Sequence, residues 1–387
     1  MRRLENKLGT QYTLWLKALT LILACDFAFR PQATTTLGRL IDSDVSLSQP
    51  LTVRWRYPSD STLNLTPAAD GERIYLPLGG GTLVSLRARD GQFLWKSEIG
   101  GEFSAAPAAD EHAVYVASEE IISEGDSHRA AGSVRAVGRE GGVTLWRHIV
   151  PFPVRGALAV GEKKVFAGSS NGTVFALHKQ TGNVIWLAQY GKAFNCQPVI
   201  SGSSVYVGSE DGALFSLDEQ TGKPQWRYRT SGPVRGPVSI VNEVVYFGSG
   251  DGYVYAVDQA DGHLRWRTRT GAGVQAVTSV VGGLLVASLD NFVYLLSFSR
   301  GKRIWKRQLP GRIASQPLTD KEDALFTPLS SYECVVLALR DGKQVNTLPT
   351  GLGANTAAGP ILVEGSVLLT TEHGLLAFSQ PANSASH

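Results

Sequence analysis

The stretch SVYVGSEDGALFSLDEQTGKPQWRYR, residues 204–229, has the pattern of three short strands joined by two tight turns. Apolar and polar residues alternate within its runs, which is the periodicity of a half-buried strand. Asp211-Gly212 and Thr221-Gly222 mark the turns, because glycine readily adopts the positive φ that tight hairpins need. The stretch therefore predicts a β-hairpin followed by one further strand.

The same pattern occurs earlier as KVFAGSSNGTVFALHKQTGNVIWLAQ (164–189) and later as VVYFGSGDGYVYAVDQADGHLRWRTR (244–269). Tryptophans mark this repeat at positions 55, 95, 146, 186, 226, 266 and 305, at intervals of 40, 51, 40, 40, 40 and 39 residues. A period of this length is typical of stacked supersecondary units. Four short strands in each unit, with no helical pattern, predict an all-β protein with the architecture of a β-propeller.

The repeats predict eight blades of four antiparallel strands. Their hairpins begin near residues 73, 113, 164, 204, 244, 284, 324 and 366, and eight outer strands result if Asn346 stands where a tryptophan is expected. The last repeat ends without an outer strand, whereas LTVRWRY (51–57) is an outer strand without a repeat of its own. We therefore expect residues 51–57 to pair with the last blade and close the ring, which removes a free sheet edge.

Composition excludes several functions. The 387 residues carry a formal net charge of +3, and residues 1–25 alone hold four basic side chains against one acidic one, so the rest of the chain is neutral. A neutral chain argues against a nucleic-acid partner, whose binding needs clustered Lys and Arg. Cys25, Cys196 and Cys334 form neither a CxxC metal motif nor an even set for disulfides. The fold is therefore expected to depend on packing.

The N-terminus has the layout of an export signal. A basic leader precedes the apolar run ALTLILA (18–24), and Cys25 follows at once. The run is too short for a transmembrane helix. Ile22-Leu23-Ala24-Cys25 resembles a bacterial lipobox, in which the cysteine is acylated and becomes the new N-terminus. Lipidation of Cys25, plain signal cleavage and an uncleaved anchor are the three interpretations of this segment.

The chain is predicted to contain one folded domain between two unstructured segments. Residues 1–25 form the export signal, and the polar, aperiodic residues 26–49 are expected to form a tether. Residues 50–380 contain all the repeats and form the propeller, and residues 381–387 form a disordered tail.

Units of the form Y-x-G-S-x-D-G-x-x-x-A-L-D-x-x-T-G-x-x-x-W resemble the repeats of pyrroloquinoline-quinone (PQQ) type propellers. The layout of residues 51–378 is similar to the BamB family of lipoproteins from the outer-membrane β-barrel assembly machinery. The resemblance implies a non-catalytic, periplasmic scaffold at the outer membrane, which binds a barrel assembly protein as a monomer within a complex. It also implies that each tryptophan docks against small residues of a neighbouring blade. The expected small sites are Gly168-Ser169, Gly208-Ser209, Gly248-Ser249 and Ala287-Ser288.

Catalytic alternatives are poorly supported by the sequence. Quinoprotein dehydrogenases resemble the blade pattern, but they are longer and carry an adjacent cysteine pair beside the quinone, whereas Cys196 and Cys334 lie about four blades apart. Residues 168–172 match G-x-S-x-G formally, but a nucleophile elbow requires a strand that leads into a helix, and this segment aligns with a hairpin. We expect no enzyme activity, cofactor or metal site. A sensor that binds a small ligand in the channel is the alternative binding function.

The second repeat contains an insertion. The interval from Trp95 to Trp146 is 51 residues, and the excess falls in SEEIISEGDSHRAAGS (118–133). We interpret the segment as a loop at the hairpin of the second blade. The side chains that could hold a metal ion are Glu119, Glu120, Glu124, Asp126 and His128, although they lack the order of a calcium loop. A solvated loop, a partner contact and a metal site are the three alternatives.

A polar register runs through all eight repeats. Nine residues after each outer-strand position, where the innermost strand of the next blade should begin, stand Asn64, Ser104, Arg155, Asn195, Arg235, Gln275, Ala314 and Asn355. These residues form either the lining of a water-filled channel or a recognition rim. Pro153-Val154-Arg155-Gly156 and Pro233-Val234-Arg235-Gly236 favour the rim, because BamB-like proteins resemble them in a hydrophobic-Arg-Gly stretch that helps to contact the barrel protein. The predicted rim consists of Arg155, Arg235, Asn195, Gln275, Asn64, Asn355, Val154 and Val234.

Overall fold

A computed structural model of the chain describes residues 45–124, 127–351 and 354–381, and it leaves out the side chains of residues 122–128. These residues form eight antiparallel sheets that are arranged as a propeller, so the predicted fold class is confirmed. Within the described ranges no helix is long and apolar enough to cross a bilayer. The predicted export signal, Cys25, the tether as far as residue 44 and the tail from residue 382 lie outside the described residues.

The first four blades follow one another along the chain, each from its innermost to its outermost strand. Blade one consists of β2 (Ala68–Ala69), β3 (Arg73–Leu78), β4 (Thr82–Arg87) and β5 (Phe93–Glu98), with a short 3-10 turn at Gly79–Gly81. Blade two consists of β6 (Glu102–Phe103), β7 (Ala108–Ala109), β8 (Ala113–Glu124), β9 (Ser127–Gly138) and β10 (Thr144–Val150). Blade three consists of β11 (Ala159–Val160), β12 (Lys164–Gly168), β13 (Thr173–His178) and β14 (Val184–Gln189). Blade four consists of β15 (Val199–Ser201), β16 (Ser204–Gly208), β17 (Ala213–Asp218) and β18 (Pro224–Arg229).

The other four blades repeat this order, except that the last one takes its outer strand from the N-terminal side of the chain. Blade five consists of β19 (Ser239–Val241), β20 (Val244–Gly248), β21 (Tyr253–Asp258) and β22 (Leu264–Arg269). Blade six consists of β23 (Val274–Val280), β24 (Gly283–Ser288), β25 (Phe292–Leu296) and β26 (Arg303–Gln308). Blade seven consists of β27 (Leu318–Thr319), β28 (Asp323–Phe326), β29 (Glu333–Ala338) and β30 (Gln344–Pro349). Blade eight consists of β31 (Ile361–Val363), β32 (Ser366–Thr371), β33 (Gly374–Ser379) and β1 (Thr52–Pro58).

The position of a strand within its blade explains its sequence pattern. Second strands such as β20, with the sequence VVYFG, are buried along their whole length, because blades pack against both of their faces. Outer strands such as β18, with the sequence PQWRYR, bury the tryptophan and expose most of the other residues. The core therefore lies between neighbouring blades, as a ring of apolar clusters.

Each of the seven tryptophans joins its blade to the next one. The indole N–H donates a hydrogen bond of 2.7–3.1 Å to a backbone carbonyl in the turn before the next outer strand. The ring covers a glycine of that turn, where an added Cβ would lie 2.4–2.8 Å from ring atoms. These glycines are Gly91, Gly142, Gly182, Gly222, Gly262, Gly301 and Gly342.

The predicted docking sites for the tryptophans were wrong. The expected Gly-Ser pairs lie at the inner hairpins, whereas the tryptophans lie on outer strands and cover glycines of the outer turns. Gly168, Gly208 and Gly248 receive residues from the next blade instead. An added Cβ on these three glycines would lie 2.5 Å or less from Phe194, Val234 and Val274, respectively.

The ring closes as the sequence predicts. Strand β1 pairs antiparallel with β33, so that Trp55 stands opposite Ala377. The indole of Trp55 donates to the carbonyl of Ala88 in blade one at 3.1 Å. The outer strand of the last blade therefore comes from the other end of the folded domain, and blade eight has no covalent turn between its third and fourth strands.

Asn346 stands at the tryptophan position of blade seven. The neighbouring blade eight lacks the turn between third and outer strands that a tryptophan would contact there. Residues 45–49 occupy the corresponding place. The Asn346 side-chain amide donates to the carbonyls of Leu47 and Gln49, at 2.9 and 2.7 Å. Leu47 is buried, and its N–H donates to an Asp320 carboxylate oxygen at 3.0 Å. The end of the segment predicted as a tether is thus packed against blade seven.

Candidate functional site

The predicted rim lies on the face of the ring that carries the crossover loops, which join the outer strand of one blade to the innermost strand of the next. Val154 and Val234 are fully buried at the start of these loops. Val234 fills the space above Gly208, and its N–H donates to the carbonyl of Ser209 at 3.1 Å. Neither valine is exposed at the rim, so the prediction that they contact a partner directly needs correction: they anchor the loop.

The glycine of each hydrophobic-Arg-Gly stretch permits a close approach to the next crossover loop. An added Cβ at Gly156 would lie 2.1 Å from the carbonyl oxygen of Cys196, and one at Gly236 would lie 2.4 Å from that of Gln275. No larger residue fits there without moving the backbone. The valine and the glycine thus fix the loop on both sides, and the arginine between them extends toward solvent.

Glu210 is the acceptor on which two predicted rim residues converge. Arg235 donates to both of its carboxylate oxygens, at 2.8 and 2.7 Å, and the Asn195 amide donates to one of them at 3.0 Å. The hydrogen bond from Arg235, opposed by burial and supported by Asn195, holds the pKa of Glu210 below its usual value. The same pairing raises the pKa of the Arg235 guanidinium. This fork geometry orients the arginine.

A second pair of the same construction lies two blades away. Arg155 contacts a Glu119 carboxylate oxygen at 2.8 Å. Glu119 and Glu210 occupy equivalent places, since each follows the serine five residues after the start of a second strand, although β8 continues beyond that point. The side chains of Arg155 and Arg235 remain 44% and 50% exposed. The sequence analysis missed both glutamates as rim residues, although their common register after Ala117-Ser118 and Gly208-Ser209 was a usable signal.

The other predicted rim residues do not join these two pairs. Asn355 is buried, and its amide donates to the carbonyls of Pro328 and Glu333 at 3.2 Å each, so its placement on an exposed rim is corrected. Asn64 is exposed and accepts a hydrogen bond from the Ala357 backbone at 3.3 Å. Gln275 is half-buried next to Gly236. The rim is therefore concentrated on Arg155, Asn195 and Arg235 with their two glutamates.

The insertion of blade two extends a hairpin, and the predicted loop is corrected. Strands β8 and β9 have 12 residues each and pair from Ala113 opposite Gly138 to Glu124 opposite Ser127. At its base Glu120 contacts Arg135 at 2.6 Å and also pairs with Arg147. Burial raises the pKa of Glu120, but the hydrogen bond from Arg135 and further donors outweigh it, so the net pKa is lowered. Among the described residues, no group of three or more His, Cys, Asp or Glu is placed to hold a metal ion.

Both cysteines of the propeller are buried and free. Burial raises the pKa of the Cys196 thiol to about 12, and it raises the pKa of the Cys334 thiol to about 12 as well. Since the thiolate is the reactive form, both groups are poor nucleophiles at neutral pH.

Comparison with known proteins agrees with this architecture. Among solved structures, BamB from Moraxella catarrhalis superimposes with a TM-score of 0.71 at 16% identity, covering 88% of this chain and 100% of that one. Quinohemoprotein alcohol dehydrogenase from Comamonas testosteroni superimposes with a TM-score of 0.67 at 12% identity, covering 87% of this chain and 78% of that one. At such identities these similarities show the fold alone.

Sequence comparison is more specific. Outer membrane protein assembly factor BamB from Burkholderia pseudomallei is 26% identical over 123 residues, which are 32% of this chain and 29% of that protein. The chain thus matches less than a third of the length of that relative. The sequence profile of the family described as "Outer membrane protein assembly factor BamB" matches residues 42–128, 130–240 and 233–386, which is nearly the whole propeller. The chain belongs to this BamB family.

Proposed function

We propose that this chain is an exported, non-catalytic scaffold that binds a protein partner in outer-membrane β-barrel assembly. The observation that carries the proposal is the pair of anchored arginines on one face of the ring. Arg155 and Arg235 lie two blades apart, or about 90° around the axis in an eight-bladed ring. Family membership supports the same role, since the family is named for outer membrane protein assembly.

The chemistry of the rim suits a protein partner with exposed carboxylates. Each arginine is held by a glutamate but remains about half exposed, so that some of its N–H donors face solvent. A guanidinium whose direction is already fixed loses little side-chain entropy when it binds a carboxylate. Contacts of this kind contribute mainly to specificity and orientation.

The proposed location follows from the N-terminal sequence. A basic leader, a short apolar run and Cys25 support export to the periplasm, with acylation of Cys25 as the anchor to the outer membrane. We expect Cys25→Ser to move the protein from the membrane fraction to the soluble periplasm. The protein would act there as a monomer within a larger complex.

The test of the scaffold function is the double variant Arg155→Ala, Arg235→Ala. Binding of a purified barrel assembly protein from the same bacterium, measured by calorimetry, should weaken by about 2 kcal/mol or more, the scale of an interface hot spot. The melting temperature should change little, because both side chains are partly exposed.

The matched control is Glu119→Gln, Glu210→Gln, which breaks the same two ion pairs but keeps both guanidiniums. Partner binding by this control should weaken less than in the arginine variant, because both guanidiniums remain although the glutamates no longer fix their direction. Equal losses of binding in both double variants would make the pairs structural. Normal binding by the arginine variant would reduce the rim to a channel lining.

A further inference from the structure

The outer edges of the blades carry a second, different set of cations. The residue that follows the tryptophan position of each outer strand points away from the core. Around the ring from blade one to blade eight these residues are Lys96, Arg147, Leu187, Arg227, Arg267, Lys306, Thr347 and Arg56. Six of the eight are basic, which is a common protection of free sheet edges against aggregation.

The basic residues are concentrated on three neighbouring blades. The outer strands β18, β22 and β26 contain no Asp or Glu. Their cations are Arg227, Arg229, Arg265, Arg267, Arg269, Arg303, Lys306 and Arg307, which we call the basic sector. All eight are exposed except Lys306, which is half-buried. Because alternate residues of a strand share a face, Arg267 and Arg269 extend from the same side of blade five, whereas Arg265 lies at the β-bulge before Trp266.

Most of these charges have no acidic neighbour. Among the described residues, only Arg229, with Asp211 at 3.7 Å, and Arg265, with Asp258, lie within ion-pair distance of a carboxylate. Arg267 lies over the ring of Tyr253 at 5.0 Å, and Lys306 lies over that of Phe292 at 3.5 Å. Such contacts hold the side chains but leave their positive charge uncompensated. The sector is therefore strongly positive on a chain that is close to neutral outside its leader.

We propose that the basic sector docks on the anionic phospholipid surface of a membrane. Unpaired guanidiniums bind phosphate with their forked donors, and each cation near an anionic bilayer adds to the attraction. Leu264 and Ile304 stand among the cations and are 44% and 51% exposed. Apolar side chains placed between basic ones fit the headgroup region of a bilayer better than a purely ionic partner. The outer edge of a ring is also convex, so it suits a broad surface better than an inserted chain.

This docking would orient the propeller. The basic sector lies on the side of the ring, whereas Arg155 and Arg235 lie on the face that carries the crossover loops. If the side rests on a bilayer, the propeller axis runs roughly parallel to the membrane plane. The face that carries the rim then stands roughly perpendicular to the membrane. The inference does not depend on the rim or on its protein partner, and it is tested without them.

The experiment is co-sedimentation of the full chain with lipid vesicles. The protein carries Cys25→Ser, so that no acyl chain attaches it. Vesicles of phosphatidylcholine alone are compared with vesicles that also contain phosphatidylglycerol, at low and raised ionic strength. We expect binding to the anionic vesicles that weakens with salt. The variant Arg265→Gln, Arg267→Gln, Arg269→Gln should bind them on the order of a hundredfold more weakly, on the usual scale for three cations near such a surface.

The matched control is Arg54→Gln, Arg56→Gln, Lys96→Gln. It removes the same charge from exposed residues of blades eight and one, on the opposite side of the ring. The control should bind as the parent does. Equal losses in both variants would mean that only net charge matters, and unchanged binding by the sector variant would also overturn the proposal. Binding to duplex DNA that is as tight as binding to the vesicles, and equally dependent on the sector, would favour a nucleic-acid partner instead.

Discussion

The arginines of the rim and those of the basic sector are all exposed but differ in their neighbours. Arg155 and Arg235 each contact a glutamate at 2.7–2.8 Å, and Arg235 donates to both carboxylate oxygens. Arg227 and Arg267, on outer strands, lie over aromatic rings and have no carboxylate within ion-pair distance among the described residues. The first kind is neutralised and fixed in direction, and the second keeps its charge.

Exposure and residue type therefore do not define what an arginine can bind. A paired guanidinium contributes geometry, so it should select a partner by position and depend little on salt. An unpaired cation contributes to a field, which attracts any anionic surface and is screened by salt. Removing the partner of a rim arginine, or adding a cation beside the basic sector, tests this difference.

The largest effect is expected when the rim is made to resemble the basic sector. In Glu119→Arg, Glu210→Arg both acceptors are lost and like charges face Arg155 and Arg235. We expect the free energy of unfolding to fall by about 2 kcal/mol, since each lost pair and each new repulsion costs a fraction of a kcal/mol to about one. Urea denaturation measures this change. The same reversal at the exposed Asp60 and Glu162 is the control, and an equal loss of stability there would show that pairing at the rim is unimportant.

A smaller effect is expected from acid. The pKa of Glu210 is lowered mainly by the hydrogen bond from Arg235. A carboxyl whose pKa is lower in the folded than in the unfolded state stabilises the fold above its unfolded pKa, and this contribution disappears as the pH falls through the folded pKa. The wild type should therefore exceed Glu210→Gln by about 0.5–1 kcal/mol in free energy of unfolding at neutral pH. The difference should shrink as the pH falls below the unfolded pKa of about 4.3, and it should vanish only below the lowered pKa of folded Glu210.

Arg227→Gln in the basic sector is the comparison variant for this acid test. Its difference from the wild type should be near zero at both pH values, because Arg227 has no carboxylate partner within ion-pair distance among the described residues. A difference between wild type and Glu210→Gln that persists unchanged at low pH would contradict the assignment of Glu210 as an ionised acceptor.

The smallest effect concerns blade three, next to the basic sector. Its outer strand β14, VIWLAQ, carries no charge, and Leu187 is 65% exposed at the position that is basic in six other blades. Leu187→Arg should widen the sector and strengthen vesicle binding by a few-fold, on the scale of one added cation. Stability should stay within about 0.5 kcal/mol. Phe93→Arg is the control, because Phe93 lies on blade one, across the ring from the basic sector. An equal gain in vesicle binding there would contradict a localised sector.

Particular residues show how far the sequence could lead. The tryptophan interval and the turn glycines were enough to predict the number of blades, the start of each hairpin and the pairing of residues 51–57 with the last blade. The role of Asn346 could not be predicted, because this residue replaces a tryptophan only as a result of a missing turn in the neighbouring blade. The insertion of blade two was interpreted as a loop, since alternation in EEIISEGDSHRA is masked by its charges, but it continues a ladder that the preceding residues had begun.

The repeat in the sequence was enough to predict the fold, because a propeller repeats one local pattern of alternation, turns and a docking tryptophan, and each blade needs only its neighbours. It also identified Arg155 and Arg235 by register. Which arginines are paired depends on tertiary packing, since Glu210 lies 25 residues before Arg235 and meets it through the packing of two blades. The buried positions of Val154, Val234 and Asn355 were decided in the same way, because burial depends on the adjacent blade rather than on the repeat that contains the residue.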